Sequence, residues 1–147
     1  MAAEGLAGRR ILIVGAGQQD HGLADPPIGN GRAMSVLFAR EGAALALADI
    51  DAASLEATEA LVRAEGAECV SVVADAAQEV GIETMFERGR AALGGLDGLV
   101  MNVGIGAGLR FGGTSVEDWD RVMAVNLRSH FLGCRQALST FEDGASW

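Results

Sequence analysis

The first informative stretch of this chain is Ile11-Leu12-Ile13-Val14-Gly15-Ala16-Gly17, in which an apolar run ends in closely spaced glycines. A continuous apolar run of this length is typical of a strand that is buried on both faces. The glycines after it permit a tight turn and a close approach of the backbone to a ligand. Two more glycines, Gly29 and Gly31, precede an apolar pattern with helical spacing over residues 32–40. The sequence therefore predicts a strand over residues 11–14, a glycine-rich turn and a helix.

The same alternation of short apolar runs and longer helical patterns continues along the rest of the chain. Strands are predicted over residues 43–48, 69–74 and 96–103, and helices over residues 51–65, 75–92 and 114–138. Asp51, Asp75 with Gln78, and Thr114 with Glu117 are expected to cap the helices. These strand–helix units predict an α/β fold: a Rossmann-type doubly wound parallel sheet with three α/β/α layers, incomplete at its carboxyl-terminal side.

Length and composition narrow the possible partners and the compartment. The 147 residues have the size of one domain. A formal net charge of −9 argues against nucleic acid or an anionic membrane as a partner, because no basic surface is available to release counterions. No apolar run is long enough to span a bilayer, and the first ten residues do not resemble a secretion signal, so we expect a cytoplasmic protein. Cys69 and Cys134 stand far apart in apolar patterns, which predicts two reduced, buried thiols.

Glycine or polar residues follow each predicted strand, and parallel strands bring such positions to the edge of a sheet where ligands bind. Glycines at the first turn would let the backbone approach a pyrophosphate, and the helix after them offers free N–H groups. Asp49 stands 18 residues after Gly31. A carboxylate there would accept hydrogen bonds from the adenosine ribose and repel a 2′-phosphate, although it could also be a simple turn residue. We favour the ribose role, which predicts NAD rather than NADP.

Taken together, these features resemble the short-chain dehydrogenase/reductase family. The matching stretches are Ile13-Val14-Gly15-Ala16-Gly17, Gly29-Asn30-Gly31-Arg32-Ala33, Ala48-Asp49-Ile50, Ala74-Asp75, residues 96–104 and residues 119–126. The resemblance implies a single, partial NAD(P)-binding Rossmann-like domain over residues 1–147. It also implies an oxidoreductase that transfers hydride between a nicotinamide cofactor and a small alcohol or carbonyl substrate, with this chain carrying the cofactor-binding half.

The resemblance also implies roles for individual residues. Gly15, Gly29 and Gly31 look like the family's Gly-x-x-x-Gly-x-Gly, and Asp75 resembles the Asp that meets the adenine amino group. Asn126 resembles the Asn of the catalytic tetrad, which kinks its helix and holds a water leading to the catalytic Lys. The implied cofactor-binding residues are Gly15, Gly17, Gly29, Asn30, Gly31, Asp49, Ile50, Asp75, Ala76, Asn102, Val103 and Gly104.

Two departures from the family pattern concern the turn and the fourth strand. The first glycine is 14 positions from the second instead of four, and the extra segment, residues 18–28, could cover the pyrophosphate, line a substrate entrance, or be a solvated loop. His21 in this segment could suggest a metal ligand, but nothing shows ligand spacing, so no metal site is predicted. Met101 and Val103 replace residues of the Asn-Asn-Ala-Gly motif, to which Asn102 and Gly104 belong.

The family's catalytic Ser and Tyr-x-x-x-Lys have no counterpart here, since the chain contains neither Tyr nor Lys. We therefore expect the chain alone to be inactive. A non-catalytic dinucleotide-binding or subunit-interaction module is the alternative. The fourth strand is expected to be a sheet edge, and Trp119, Met123 and Leu127 are expected to be partly bare unless a partner covers them. The long helix over residues 115–138 is expected to form a homo-oligomer face. His130 is predicted to be a packed or interface residue.

Overall fold

A computed structural model of the chain describes residues 5–108 and 110–141, and its element order is the predicted alternation. The elements are β1 (Arg10–Val14), α1 (Asn30–Arg40), β2 (Ala44–Asp49), α2 (Ala52–Ala64), β3 (Cys69–Val73), α3 (Glu79–Leu93), β4 (Gly98–Met101), a 3-10 turn (Phe111–Gly113), α4 (Val116–Met123), a π-helical turn (Ala124–Arg128) and α5 (Ser129–Thr140). The four strands form one parallel sheet in the order β3-β2-β1-β4. The predicted α/β fold is confirmed.

Helices cover both faces of this sheet, and each face has its own apolar core. Side chains of a strand alternate between the two faces. Leu12 and Ala46 therefore join the core beneath α3 and α5, which includes Phe86, whereas Ile13 and Leu45 join the core beneath α1 and α2. This arrangement explains why the first apolar run has no polar interruption, and it confirms the three-layer architecture.

The sheet is shorter at its β4 edge than the sequence predicts. The ladder between β1 and β4 runs from the pair Ile11 and Gly98 to the pair Val14 and Met101, so it covers four residues of the predicted strand 96–103. Because β1 ends where Gly15 adopts a φ of +83°, β4 has no partner to continue along. Within the described residues β4 is an edge strand, as expected.

The start of α3 differs from the prediction. The helix begins at Glu79, and the side chain of Gln78 makes no capping hydrogen bond. The carboxylate of Asp75 instead accepts from the N–H of Ala77 at 2.8 Å, which closes a turn ahead of the helix. The predicted Asp75–Gln78 capping pair is therefore wrong, because Asp75 stabilises the turn between β3 and α3.

The cap of α4 lies one residue later than predicted. The hydroxyl of Ser115 accepts from the N–H of Asp118 at 3.0 Å, whereas the hydroxyl of Thr114 donates to the carbonyl of Arg110 at 3.0 Å. The predicted Thr114–Glu117 capping box is therefore wrong. The cap predicted at Asp51 is confirmed: its carboxylate accepts from the first turn of α2.

The long helix predicted over residues 114–138 is interrupted. A π-helical turn separates α4 from α5, and it contains Asn126. The inner side of α5 packs on α3 and β4, while Leu127, Phe131 and Leu138 are exposed. Cys69 is buried, as expected, but Cys134 is exposed on α5, which corrects the prediction of two buried thiols; both are free thiols. No helix in the described part of the chain is long and apolar enough to cross a bilayer.

Candidate functional site

The carboxyl ends of the four strands form one rim, and the residues predicted to bind a cofactor lie along it. Direct contacts link neighbouring positions of the rim. The side-chain amide of Asn102, after β4, donates to the carbonyl of Gly15 at 2.9 Å, and the carboxylate of Asp49 accepts from the N–H of Gly17 at 2.8 Å. The N–H of Ala74, after β3, donates to the carbonyl of Asp49 at 3.1 Å. The rim is therefore one connected surface.

The glycines of the first turn stand where side chains have no room. A Cβ on Gly31 would lie 1.9 Å from the carbonyl oxygen of Gly15, and a Cβ on Gly17 would lie 2.8 Å from the carboxylate of Asp49. Gly15 itself has a positive φ, and a Cβ there would meet the backbone of Val103 at 2.9 Å. These three glycines bring the start of α1 close to the ends of β1 and β4.

The amino end of α1 has features that favour the binding of an anion. The first N–H groups of any helix have no partner within the helix, and they carry a partial positive charge. A side chain caps each of α2 and α4, whereas α1, like α3, has no side-chain cap; Gly29 occupies the N-cap of α1, and its first turn contains no acidic residue. Asn30 and Gly31 are the first residues of α1. Their backbone is therefore suited to a pyrophosphate.

Asp49 ends β2 beside this turn. One carboxylate oxygen accepts from the N–H of Gly17 and the other accepts from the N–H of Asp51 at 3.0 Å. Each carboxylate oxygen has a second lone pair, so the group can also accept from two hydroxyls. The next residue, Ile50, is 67% exposed and offers an apolar surface at the same end of the sheet. A carboxylate acceptor and an exposed apolar side chain therefore lie next to each other at this end of the sheet.

Asp75 and Ala76 lie beyond β3, at the far end of the rim. Ala76 is buried, and Asp75 is half-buried with its carboxylate directed to the local turn. Arg128 donates to the carbonyl of Ala77, which ties this turn to the π-helical turn. The adenine contact that the family resemblance implies for Asp75 stays a prediction.

At the other side of the rim, Asn126 holds the loop after β4. Its side-chain oxygen accepts from the N–H of Ile105 at 2.8 Å, and its side-chain nitrogen donates to the carbonyl of the same residue at 2.8 Å. Gly104 leads into this contact: a Cβ on it would lie 3.8 Å from the oxygen of Asn126. Asn126 therefore acts on the site through the loop backbone, from a π-helical turn where the helix bends.

Two residues that support the rim, Gln18 and Ser54, were not predicted as site residues from the sequence. The side chain of Gln18 accepts from the N–H of Gly29 at 2.9 Å, and the hydroxyl of Ser54 in α2 donates to the carbonyl of Gln18 at 2.8 Å. Arg32 in α1 donates to the carbonyl of Ser54 at 3.0 Å. These bonds join residues up to 36 positions apart, so no local pattern could reveal them.

The extra segment after Gln18 is exposed. A cavity of about 320 Å³ separates it from α2 and is lined by Gln18, Gln19, Asp20, His21 and Asp51. Among the residues that the structure describes, no three His, Cys, Asp or Glu side chains converge as metal ligands. The imidazole of His130 approaches the hydroxyl of Ser129 at 3.1 Å.

Comparison with known proteins places the chain among dehydrogenases and reductases. The model of a family described as enoyl-(acyl carrier protein) reductase matches residues 27–147. A short-chain dehydrogenase/reductase of Armillaria gallica is 38% identical over 132 residues, which are 88% of this chain and 47% of that protein. The chain thus spans about half the length of the curated relatives it matches.

Solved structures give the same result for the fold. A short-chain dehydrogenase/reductase from Serratia marcescens superposes with a TM-score of 0.84 at 28% identity, over 95% of this chain and 54% of that one. A protein from Burkholderia cenocepacia, described as a dehydrogenase and solved with bound NADP, gives a TM-score of 0.79 at 29% identity, over 95% of this chain and 51% of that one.

Proposed function

This chain belongs to the short-chain dehydrogenase/reductase family of oxidoreductases, and on that basis we propose that it forms the cofactor-binding half of an NAD-dependent enzyme. The observation that supports this most directly is the amino end of α1, which has no side-chain cap and packs through Gly31 on the carbonyl of Gly15, in the turn where Asp49 accepts from Gly17. The backbone would hold the pyrophosphate, and Asp49 would hold the ribose. The alternative of a non-catalytic module is favoured only by the missing Tyr and Lys, and none of the matched relatives or structures supports it.

We propose NAD rather than NADP because of the charge at the ribose end. Asp49 and the neighbouring Asp51 place two carboxylates there, while the nearest guanidinium of the turn, Arg32, is engaged with Ser54 and Thr58. A 2′-phosphate at this end would be repelled by like charge. The NADP in the Burkholderia cenocepacia structure is a property of that protein.

Titration with NADH and NADPH tests the cofactor proposal. Asp49→Asn keeps an oxygen for the N–H of Gly17 but removes the charge, so the ratio of the NADPH Kd to the NADH Kd is expected to fall about tenfold. Asp49→Ala removes the acceptor as well and is expected to weaken NADH binding. Asp25→Asn, in the exposed segment, is the matched control. An unchanged ratio in Asp49→Asn would remove the reason for choosing NAD.

The proposed reaction is hydride transfer between the nicotinamide and a small alcohol or carbonyl compound. The cofactor supplies the hydride chemistry when it is bound. In this chain, Asn102 fixes the end of β4 against Gly15, and Asn126 fixes the loop that follows β4. General acid catalysis needs a proton donor within hydrogen-bond reach of the substrate oxygen. The chain contains no Tyr or Lys for this role, so we propose that it does not turn over by itself.

An NADH oxidation assay with a panel of ketones and aldehydes tests this proposal. The purified chain is expected to bind NADH without oxidising it. Carbonyl-dependent oxidation by this chain alone would show that it contains its own proton donor. Absence of NADH binding at millimolar concentration would instead contradict the cofactor assignment itself.

We further propose a homo-oligomer and a cytoplasmic location. Phe131, Cys134 and Leu138 are exposed at successive turns of α5, Leu127 is exposed in the π-helical turn before it, and Trp119 is exposed on α4. Apolar stripes of this length normally mark an interface. The two free thiols fit a reducing compartment. Light scattering tests the first proposal and cell fractionation the second.

A further inference from the structure

We propose that Gln18 is a positioning residue that closes the dinucleotide-binding turn across an inserted segment, residues 19–28. The turn is made from two pieces of chain that are not continuous in sequence. The side-chain oxygen of Gln18 accepts from the N–H of Gly29, the N-cap of α1, at 2.9 Å. This inference rests on the proposed function, since it names the residue that prepares that site for its ligand.

The two pieces are in contact as if the segment between them were absent. A Cβ built on Gly29 would lie 3.4 Å from Cγ and 3.6 Å from Cα of Gln18. Removal of residues 19–28 from the sequence leaves Gly15-Ala16-Gly17-Gln18-Gly29-Asn30-Gly31, in which the first two key glycines are four positions apart. The insertion therefore begins after Gln18, one residue later than the sequence predicted, and ends before Gly29.

The backbone of Gln18 is fixed independently of its side chain. The hydroxyl of Ser54 accepts from its N–H and donates to its carbonyl, and Arg32 donates to the carbonyl of Ser54. Gly17 is held by Asp49 at the preceding position. The chain up to Gln18 is thus held by β2 and α2, and the hydrogen bond from Gly29 to the Gln18 side chain links α1 to this fixed segment.

The inserted segment itself projects from the molecule. Residues 19–28 contain no helix or strand and are exposed, apart from the half-buried Pro26. Because residues 18 and 29 already lie side by side, a peptide bond could replace the Gln18–Gly29 hydrogen bond with little movement of α1. The side chain of Gln18 would then have no further positioning task.

A double-mutant cycle tests this inference. Four proteins are titrated with NADH: the parent, Gln18→Ala, a deletion of residues 19–28, and the deletion carrying Gln18→Ala, with Gln19→Ala as the matched control. Loss of the hydrogen bond in the parent is expected to raise the NADH Kd about fivefold. The deletion is expected to bind within about twofold of the parent, and Gln18→Ala is expected to have no further effect in it.

Other results would overturn the inference. An equal loss in both backgrounds would mean that Gln18 acts on the ligand or on general stability, and no loss in the parent would mean that the hydrogen bond does not position α1. If the parent binds no NADH, the proposed function fails, and this inference fails with it.

A second variant covers a deletion that does not fold, as judged by circular dichroism. Gln18→Met keeps the length of the side chain without its acceptor, and amide exchange at Gly29 reports the lost bond. Faster exchange with weaker NADH binding supports the inference. Faster exchange with an unchanged Kd, or unchanged exchange, overturns it.

Discussion

Single glycines and single hydrogen bonds determine the shape of the rim. Gly31 packs against the carbonyl of Gly15, and the same carbonyl accepts from Asn102, so three elements meet at one oxygen. The side chain of Met101, in β4, packs on Gly133 of α5. A Cβ on Gly133 would lie 2.7 Å from the sulfur of Met101. Met101 occupies the position of the first Asn of the family motif, and a glycine in α5 accommodates it.

Gly31→Ala is predicted to disturb both stability and cofactor binding. The new Cβ would lie 1.9 Å from a backbone oxygen, so α1 must move away from β1. We expect the free energy of unfolding to fall by about 1–3 kcal/mol and NADH binding to weaken. Thermal unfolding and NADH titration measure the two effects. Gly106→Ala is the control, because a Cβ on Gly106 meets no atom within 4 Å; equal behaviour of the two variants would contradict the prediction.

Asp97 is predicted to make stability depend on pH in the acid range. Its carboxylate accepts from the guanidinium of Arg10 at 2.7 and 2.9 Å and from the backbone N–H of Arg10, which holds the pKa of this carboxyl below its ordinary value of 3.8. Because the pKa of Asp97 is lower in the folded protein than in the unfolded chain, its ionised form stabilises the fold at pH values above the unfolded pKa. This stabilisation is lost as the pH falls through the folded pKa.

Asp97→Asn is therefore expected to cost about 1–2 kcal/mol of unfolding free energy at pH 7, and the difference from the parent should shrink below about pH 4. Chemical denaturation over a series of pH values measures it. Asp118→Asn, which removes an exposed ion pair with Arg121, should cost less than about 0.5 kcal/mol. If the difference in unfolding free energy between Asp97→Asn and the parent persists at pH 2, the effect of the substitution comes from packing and not from charge.

At the scale of elements, the π-helical turn is the feature that links the last helices to the site. A π-helical turn contains one residue more than an α-helical turn, which bends the helix and redirects side chains. Here it presents Asn126 to both backbone groups of Ile105. The periodicity predicted one continuous helix over residues 114–138, whereas the family resemblance implied a kink at Asn126. The support that Asn126 gives to the loop depends on this interruption.

Asn126→Ala is predicted to loosen the loop after β4 without unfolding the chain. Both hydrogen bonds to Ile105 are exposed, so we expect a loss of about 0.5–1.5 kcal/mol in unfolding free energy and faster amide exchange at Ile105. Exchange followed by NMR measures this locally. Ser139→Ala removes a hydroxyl that bonds only within α5, and it should leave Ile105 unchanged. Unchanged exchange in Asn126→Ala would contradict the predicted support.

At the scale of the whole molecule, the described chain leaves the β3 edge of the sheet and two surfaces beside α5 uncovered. The strand β4 is an edge of the sheet, and the stripe of Leu127, Phe131, Cys134 and Leu138 faces outward. Both lie on the side of β4 and α5, away from β3. The predicted partial exposure of Trp119, Met123 and Leu127 is confirmed, since Trp119 and Leu127 are 56% and 59% exposed and Met123 is half-buried.

Phe131→Glu is predicted to shift the chain from an oligomer to a monomer, because burial of a carboxylate in an apolar interface is unfavourable. Size-exclusion chromatography with light scattering measures the mass. The exposed thiol of Cys134 should react faster in the variant, while burial keeps Cys69 unreactive and raises its pKa. Leu61→Glu, exposed on α2, is the control. A parent that is already monomeric at high concentration would contradict the predicted interface.

Periodicity was sufficient for the strand–helix order and the parallel sheet, whereas most of the residues named along the rim came from the family resemblance. The patterns that predict strands and helices are properties of short stretches: an apolar run, a helical repeat, a glycine after a strand. The ends of elements were predicted less well, as at Asp75 and Thr114, because several neighbouring side chains can each make the same capping bond and only the surrounding contacts select one.

The folded chain was required to show how the turn is closed and how its parts are supported. The bond from Asn102 to Gly15 spans 87 positions, and that from Ser54 to Gln18 spans 36. Contacts over such separations depend on how the strands pair and how the helices pack on them, and no local pattern records that. For the same reason the sequence showed 14 positions between Gly15 and Gly29, where the family motif has four. The structure shows that Gln18 and Gly29 lie side by side.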